Sequence, residues 1–327
     1  MDPIGRKRLL AALQIAFIAA ALWMGGRLLL GDWSRVGAAF ARVEVSWPFA
    51  IASVIPVLAA YGVLVETWRG TLRAWNAHLS RRHAATIWFV SSLGRYIPGK
   101  LWQIVAMSGM AQRCGVSPVV ATASSLMLNL ASIVTGFLVV LGTGAQVLTA
   151  VPGMGGPGTG LLRTLAVVIP VGLVFLSVPA ILPRLVRWAA RITGRSWTMP
   201  AIPSSALWGA VLGTAAAWLL YGLGFELLAR AVWGETVGGP GRYVSAFAFS
   251  YLIGYLALFA PGGIVVRELA LVEALRILGL ATPAAGFVLA LASRLWLTVL
   301  EILLGVLFIP FMLRLPTPPV IDDSPGR

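Results

Sequence analysis

Six mostly apolar stretches of about twenty residues or more run through this 327-residue chain: Leu9–Leu30, Trp47–Thr67, Val119–Leu141, Leu161–Leu182, Ala206–Ala229 and Ala284–Leu313. Each is long enough for a helix to cross the hydrocarbon core of a bilayer, which takes about 20 residues. Two more apolar stretches are interrupted. Ala84–Ala111 breaks at Tyr96-Ile97-Pro98-Gly99-Lys100, and Tyr243–Leu280 breaks at Ala260-Pro261-Gly262-Gly263. Proline removes a backbone donor and glycine is permissive, so a helix stops and turns at each break. With 59% apolar and only 11% charged residues, the chain could not cover the surface of a water-soluble fold. An ordinary cytosolic enzyme, a disulfide scaffold and a disordered chain are excluded.

The net charge is +14, from 25 Lys+Arg against 11 Asp+Glu. No basic run or basic helix of the kind that grips nucleic acid is present, and basic residues that flank membrane spans account for the excess. Arg6, Lys7 and Arg8 precede the first span, Arg69, Arg73, Arg81 and Arg82 follow the second, Arg184, Arg187, Arg191 and Arg195 follow the fourth, and Arg314 follows the last. The opposite side is poorer in basic residues and includes a glycine-rich loop, Thr143–Gly160. The positive-inside rule puts both termini in the cytoplasm. That parity requires each interrupted stretch to enter and leave on the same side, as a re-entrant hairpin. Cys114 is alone, and His78 and His83 read as solvated residues. No metal site and no cofactor are expected.

The two interrupted stretches occupy matching places, which predicts a repeat with units at about 47–142 and 206–313. Tyr61-Gly62 with Glu66 is echoed by Tyr221-Gly222 with Glu226, Pro98-Gly99 by Pro261-Gly262, and Ser125 with Gly136 by Ser293 with Gly305. The charge count gives the two units opposite orientation. Inverted repeats with interrupted helices are a transporter architecture, and the interruptions point to the substrate site.

A charge at the bilayer centre costs several kcal/mol and marks a functional or paired site. Arg95 and Lys100 bracket the first break, Arg267 and Glu268 follow the second, and Arg294 and Glu301 lie seven apart on one face of the last span. These six are the candidate substrate-binding residues, and Pro98, Gly99, Pro261, Gly262 and Gly263 are the hairpin turns. Buried cations beside helix N-termini suit a phosphate group. The same charges could instead pair with one another and hold the hairpins. Glu66 and Glu226, near span ends, read as interfacial caps or pairing partners. Trp33, Trp47, Trp68, Trp75, Trp188, Trp197 and Trp233 read as an aromatic belt. Residues 316–327 read as a disordered tail.

Gly94-Arg95-Tyr96-Ile97-Pro98-Gly99-Lys100-Leu101-Trp102 and Pro261-Gly262-Gly263-Ile264-Val265-Val266-Arg267-Glu268 resemble two signature segments of the lysylphosphatidylglycerol synthase transmembrane family. The resemblance covers about Leu9 to Leu315. It implies a polytopic membrane domain of a bacterial or archaeal cytoplasmic membrane. In two-domain members a lipid-flipping membrane half is joined to a cytosolic half that transfers lysine to phosphatidylglycerol. This chain ends soon after its last span, so aminoacyl transfer is not expected of it.

The expected fold is an all-α polytopic membrane protein, one domain over 1–315, with about six full spans, two re-entrant Pro-Gly-broken hairpins and an inverted repeat. The expected function is a flippase-like lipid translocase, not an enzyme, that moves an anionic phospholipid or a polyprenyl-phosphate-linked lipid. Its partners would be membrane lipids, with a homo-oligomer or a partner enzyme left open and no nucleic acid. The alternatives are a non-catalytic membrane subunit of a lipid-modifying or glycosyltransferase system, and an integral-membrane transferase acting on a lipid phosphate. The last lacks a recognisable nucleophile or metal-ligand set.

Overall fold

The computed structural model describes residues 43–96, 102–150, 201–257 and 265–316, together with Gly263 and scattered positions between 37 and 41 and between 165 and 191. The span expected at Leu9–Leu30, much of the one expected at Leu161–Leu182, most of the tail, and Pro98, Gly99, Lys100, Pro261 and Gly262 lie outside the described residues.

Every regular element among the described residues is helical. In chain order they are α1 (Trp47–Ala74), α2 (Arg81–Ser92), a 3-10 turn (Leu93–Tyr96), α3 (Trp102–Arg113), α4 (Pro118–Gly144), a second 3-10 turn (Ala145–Ala150), α5 (Ser204–Trp233), α6 (Pro240–Leu256), α7 (Val266–Ile277) and α8 (Pro283–Leu313). Proline occupies one of the first two positions of α1, α4, α6 and α8, where its missing N–H costs nothing and its fixed φ favours the helix. Four helices, α1, α4 (continued to Thr149), α5 and α8, are long and apolar enough to cross a membrane. By contrast α2, α3 and α7 have 12 residues each, about 18 Å of helix. That is too short for a roughly 30 Å hydrocarbon core.

The short helices pair. α2 packs against α3 and α6 against α7, so each interrupted stretch folds back on itself. Each pair also packs on a long helix from the other half of the chain: α2 lies along α8, and α6 lies along α4. The contacts are matched in detail. A Cβ added at Gly305 of α8 would lie 2.6 Å from Leu93, and one added at Gly136 of α4 would lie 3.0 Å from Leu252. Each long helix thus keeps a glycine where a hairpin leucine of the other half is seated.

α1 and α5 form the longest contact and run antiparallel. The Ser46 N–H at the start of α1 donates to the Ala231 carbonyl near the end of α5 (2.9 Å), and the Trp75 indole N–H beyond α1 donates to the Ala201 carbonyl ahead of α5 (3.0 Å). Small residues let the two backbones approach: a Cβ at Gly213 would overlap Thr67. At the middle of the seam Tyr61 meets Tyr221 edge to face, with ring centroids 5.7 Å apart. One contact is unmatched. α4 packs along α5, but α8 has no comparable packing on α1. Outward-facing Leu295, Val299, Leu303 and Leu307 of α8 are exposed and apolar, as a lipid-facing surface requires.

Two sequence expectations need correction. Trp68 is fully buried and donates its indole N–H to Ser124 Oγ (3.0 Å), and Trp75 is also buried, so neither belongs to an interfacial belt. Both belong to the buried cluster that the C-terminal half of α1 and the residue after it form with the first hairpin and α4. The loop expected from Thr143 starts later. The chain stays helical to Gly144 and then makes a 3-10 turn whose Val147 and Leu148 enter the core beside α7. Glu226 and Glu66 take the pairing role, one of the two expected of them: Glu226 is buried and pairs with Arg230 one turn on (2.7 Å). Glu66 accepts from both Arg69 and Arg81.

Candidate functional site

The second hairpin closes around two glycines. Gly263 has φ 67°, a conformation glycine adopts without penalty, and a Cβ on it would lie 2.8 Å from the Gly254 carbonyl oxygen. Gly254 in turn faces Arg267, whose Cβ would be 2.7 Å from a Cβ at that position. Val265 has φ 69°, a left-handed conformation that a β-branched residue rarely adopts, and α7 starts at the next residue. Together these features put Arg267 in the first turn of α7 directly against the end of α6, where the positive end of the helix adds to its charge.

A cavity of about 220 Å³ lies between the two hairpins. Its charged end is lined by Arg95 from the first hairpin, Arg267 from the second, and Arg294 and Glu301 from α8. Arg95 donates to Glu301 Oε1 at 2.5 Å, and the same oxygen accepts from the Tyr61 hydroxyl at 3.4 Å. Arg294 lies 3.5 Å from Glu268. Both ion pairs therefore tie α8 to a hairpin, Arg95–Glu301 to the first and Glu268–Arg294 to the second. Breaking a buried pair of this kind strands a charge and is far costlier than its net stabilisation suggests.

Arg267 is different. It is 7% exposed, and its guanidinium lies over the rings of Tyr251 (4.9 Å to the centroid) and Phe247 (5.3 Å). Its Nη2 is buried and has no hydrogen-bond partner among the described residues. A buried, unused guanidinium N–H carries a desolvation cost that an anionic ligand would remove. Glu268 Oε2 is likewise buried without a partner among the described residues, but Glu268 does not line the cavity.

The rest of the lining is neutral. Gln103 from α3, Ser125 and Asn129 from α4, and Thr214 from α5 supply polar groups, while Tyr61, Tyr221, Tyr251, Tyr255 and Trp218 supply rings. The Tyr255 hydroxyl donates to Asn129 Oδ1 (3.2 Å), and the Asn129 amide donates to the Ser125 carbonyl (2.8 Å). Among the described residues no three His, Cys, Asp or Glu side chains converge as a metal site would require.

Of the six candidate residues, Arg95, Arg267, Arg294 and Glu301 come together at the cavity wall. Glu268 stands behind Arg294, and Lys100 lies outside the described residues. Of the turn residues, Gly263 lies against the cavity. Sequence reasoning missed the tyrosines. Tyr61 and Tyr221 stood out only as marks of a repeat, because an aromatic ring in an apolar helix carries no sign of which way it faces.

No curated relative matches the chain. The family model described as the lysylphosphatidylglycerol synthase TM region matches residues 11–305, nearly the whole length, and the chain belongs to that family.

Proposed function

We propose that this chain is a lipid translocase of a bacterial or archaeal cytoplasmic membrane, with the cavity between the hairpins as the binding site for a lipid phosphate. The family is that of a membrane domain associated with lipid modification, which makes a lipid the natural cargo. The observation that carries the reading is Arg267, a buried cation in a cavity with an unpartnered N–H. Both hairpins are re-entrant in this reading, with turns near mid-membrane, where non-helical backbone is tolerated only if it is buried or lines a wet cavity. The halves 47–142 and 206–313 form an inverted repeat. Three observations support that arrangement: the crossed packing of each hairpin on the other half, the matched glycine seats, and the antiparallel α1–α5 seam with Tyr61 against Tyr221. Both termini are cytoplasmic, and the chain performs no group transfer of its own.

The test is lipid movement in proteoliposomes with fluorescent anionic and zwitterionic lipids, with and without a proton gradient. An Arg267→Gln variant and an Arg95→Gln/Arg267→Gln double variant should each lose at least about tenfold in rate, the worth of one charge-assisted hydrogen bond. Unchanged movement in folded variants overturns the assignment.

The two ion pairs favour a second reading, a non-transporting subunit whose intramembrane charges are structural and which anchors a lipid-modifying or glycosyl-transferring enzyme. Absence of movement for every lipid from folded protein, together with co-purification of a soluble enzyme, would establish it.

A further inference from the structure

Resting on the translocase reading, the size of the cavity dictates how a lipid must lie in it. At about 220 Å³ the cavity is smaller than the roughly 300–1,000 Å³ of pockets that enclose a drug-sized molecule. A lipid cannot enter whole. Its phosphate end lies beside Arg267 while its chains stay in the bilayer, so one wall of the cavity must open sideways. We infer that this wall is the seam between α1 and α8, a lateral gate made of side chains, and that the matching seam between α4 and α5 stays shut.

The two seams are built differently. α4 and α5 lie backbone against backbone. A Cβ added at Gly136 of α4 would lie 3.0 Å from the Trp218 ring of α5, the Trp218 indole N–H donates to the Ser132 carbonyl (2.9 Å), and the Thr135 and Thr214 hydroxyls are hydrogen-bonded to each other (3.0 Å). Parting this seam would move two helices and strand buried polar groups. α1 and α8 also line the cavity, with Tyr61 and Leu64 from one and Leu297, Thr298 and Glu301 from the other, yet their backbones stay apart. Side chains span the gap. Val57 of α1 and Trp296 of α8 converge on Gly224 of α5, where an added Cβ would lie 2.9 and 3.1 Å from them. The Tyr61 hydroxyl reaches Glu301 Oε1 at 3.4 Å, beyond the roughly 2.5–3.0 Å of a normal O–H···O bond. The Phe89 ring of α2 fits between those of Tyr61 (5.8 Å between centroids) and Phe308 of α8 (5.0 Å). Such contacts open by rotation of side chains from one staggered position to another, without displacing a helix.

Two further observations suit a passing lipid. The Trp296 indole N–H is buried with no hydrogen-bond partner among the described residues. It can only donate, and the ester oxygens that join a lipid's chains to its headgroup can only accept, so the lipid relieves the cost of a stranded donor. The exposed faces of the same two helices are apolar, with Ile55 and Leu58 on α1 and Val299 and Leu303 on α8, as chains lying outside the gate require.

The experiment uses the full chain with Cys114→Ser, which leaves no native thiol. In the added pair Leu58→Cys/Leu303→Cys, exposed positions on α1 and α8 are joined by a bridging reagent that reduction cleaves. In proteoliposomes with acyl-labelled phosphatidylglycerol and phosphatidylethanolamine, bridging should slow lipid movement at least about tenfold, as when opening limits the rate, and reduction should restore it. Phe89→Ala, which removes the ring between Tyr61 and Phe308, should speed movement several-fold, a gain that loss of a merely structural contact would not produce. Phe308→Ala serves if Phe89→Ala does not fold. A second readout needs no movement: a lipid with a photoactivatable group on the first carbons of its chain should label Phe89 and Trp296, and bridging should remove that label. Undiminished movement in the bridged protein, or no gain in a folded ring variant, overturns the gate and leaves the translocase reading standing. If the unmodified protein moves no lipid, the translocase reading falls and the labelling decides. Label on Phe89 and Trp296 that bridging removes then upholds the gate, and its absence overturns it.

Discussion

In the hairpin of α2 and α3, a Cβ added at Gly94 would lie 3.3 Å from the Gln103 backbone nitrogen, a tight but adjustable contact. In the hairpin of α6 and α7, the equivalent closure is much harder. Gly254 meets both Gly263 and the root of the Arg267 side chain, and α6 is buried along most of its length by α4, α5 and α7. The chemistry differs in the same direction. Among the described residues the looser hairpin gives the cavity the charge of Arg95 and the neutral Gln103, while the tighter one supplies Arg267 at a helix N-terminus with Glu268 beside it. A buried charge without a full set of partners is tolerable only where its surroundings cannot rearrange around it. The rigid hairpin is therefore the one that can hold an unpartnered guanidinium. The pliant one is pinned by the salt bridge from Arg95 to Glu301.

Four single variants and one double variant test that division, starting with the largest effect. Glu301→Leu should destabilise the protein by up to about 3 kcal/mol in thermal or denaturant unfolding, because it leaves the half-buried Arg95 without its carboxylate. The double variant Arg95→Leu/Glu301→Leu should recover a substantial part of that loss. If it is no better than the single variant, the pair is not what pins the first hairpin. Arg267→Gln should reduce lipid movement by about 10–100-fold, the equivalent of roughly 1.5–3 kcal/mol of charge-assisted bonding. Its melting temperature should change little, since Arg267 Nη2 has no hydrogen-bond partner among the described residues and the guanidinium gives up mainly ring contacts. Gly254→Ala should cost about 1–3 kcal/mol through overpacking against Arg267. Gly94→Ala should cost under about 1 kcal/mol, because its neighbour need yield only slightly. Equal losses at the two glycines would mean that the hairpins are equally rigid, and the contrast drawn above would fail.

The sequence made the long helices legible because a span must be continuously apolar, and nothing else in the chain imitates that. The breaks were legible because proline and glycine have few other reasons to stand together inside an apolar run. The charges at Arg95, Arg267, Arg294 and Glu301 were legible as outliers, but their pairing was not. Arg294 and Glu301 share a helix face seven residues apart, yet each pairs with a hairpin rather than with the other. That choice depends on how the helices pack. The aromatic residues were least legible. Trp68 sits near a span end, where a belt is expected, but its ring faces Ser124 and the first hairpin, and only the three-dimensional neighbours decide between the two. The seats at Gly136 and Gly305 lay in plain view as an echo, while the leucines they accept, Leu252 and Leu93, are indistinguishable by sequence from any other leucine.

If the two halves are an inverted repeat, the α1–α5 seam is an isologous dimer interface drawn within a single chain. In the inverted-repeat reading Tyr61 and Tyr221, which meet edge to face, are counterparts, and the start of α1 is tied to the end of α5 by the Ser46–Ala231 hydrogen bond. An interface of that kind carries its recognition on both surfaces and does not rely on the linking chain to hold it. Fragments covering 1–150 and 201–327, made separately in one cell, should accordingly find each other in the membrane and co-purify.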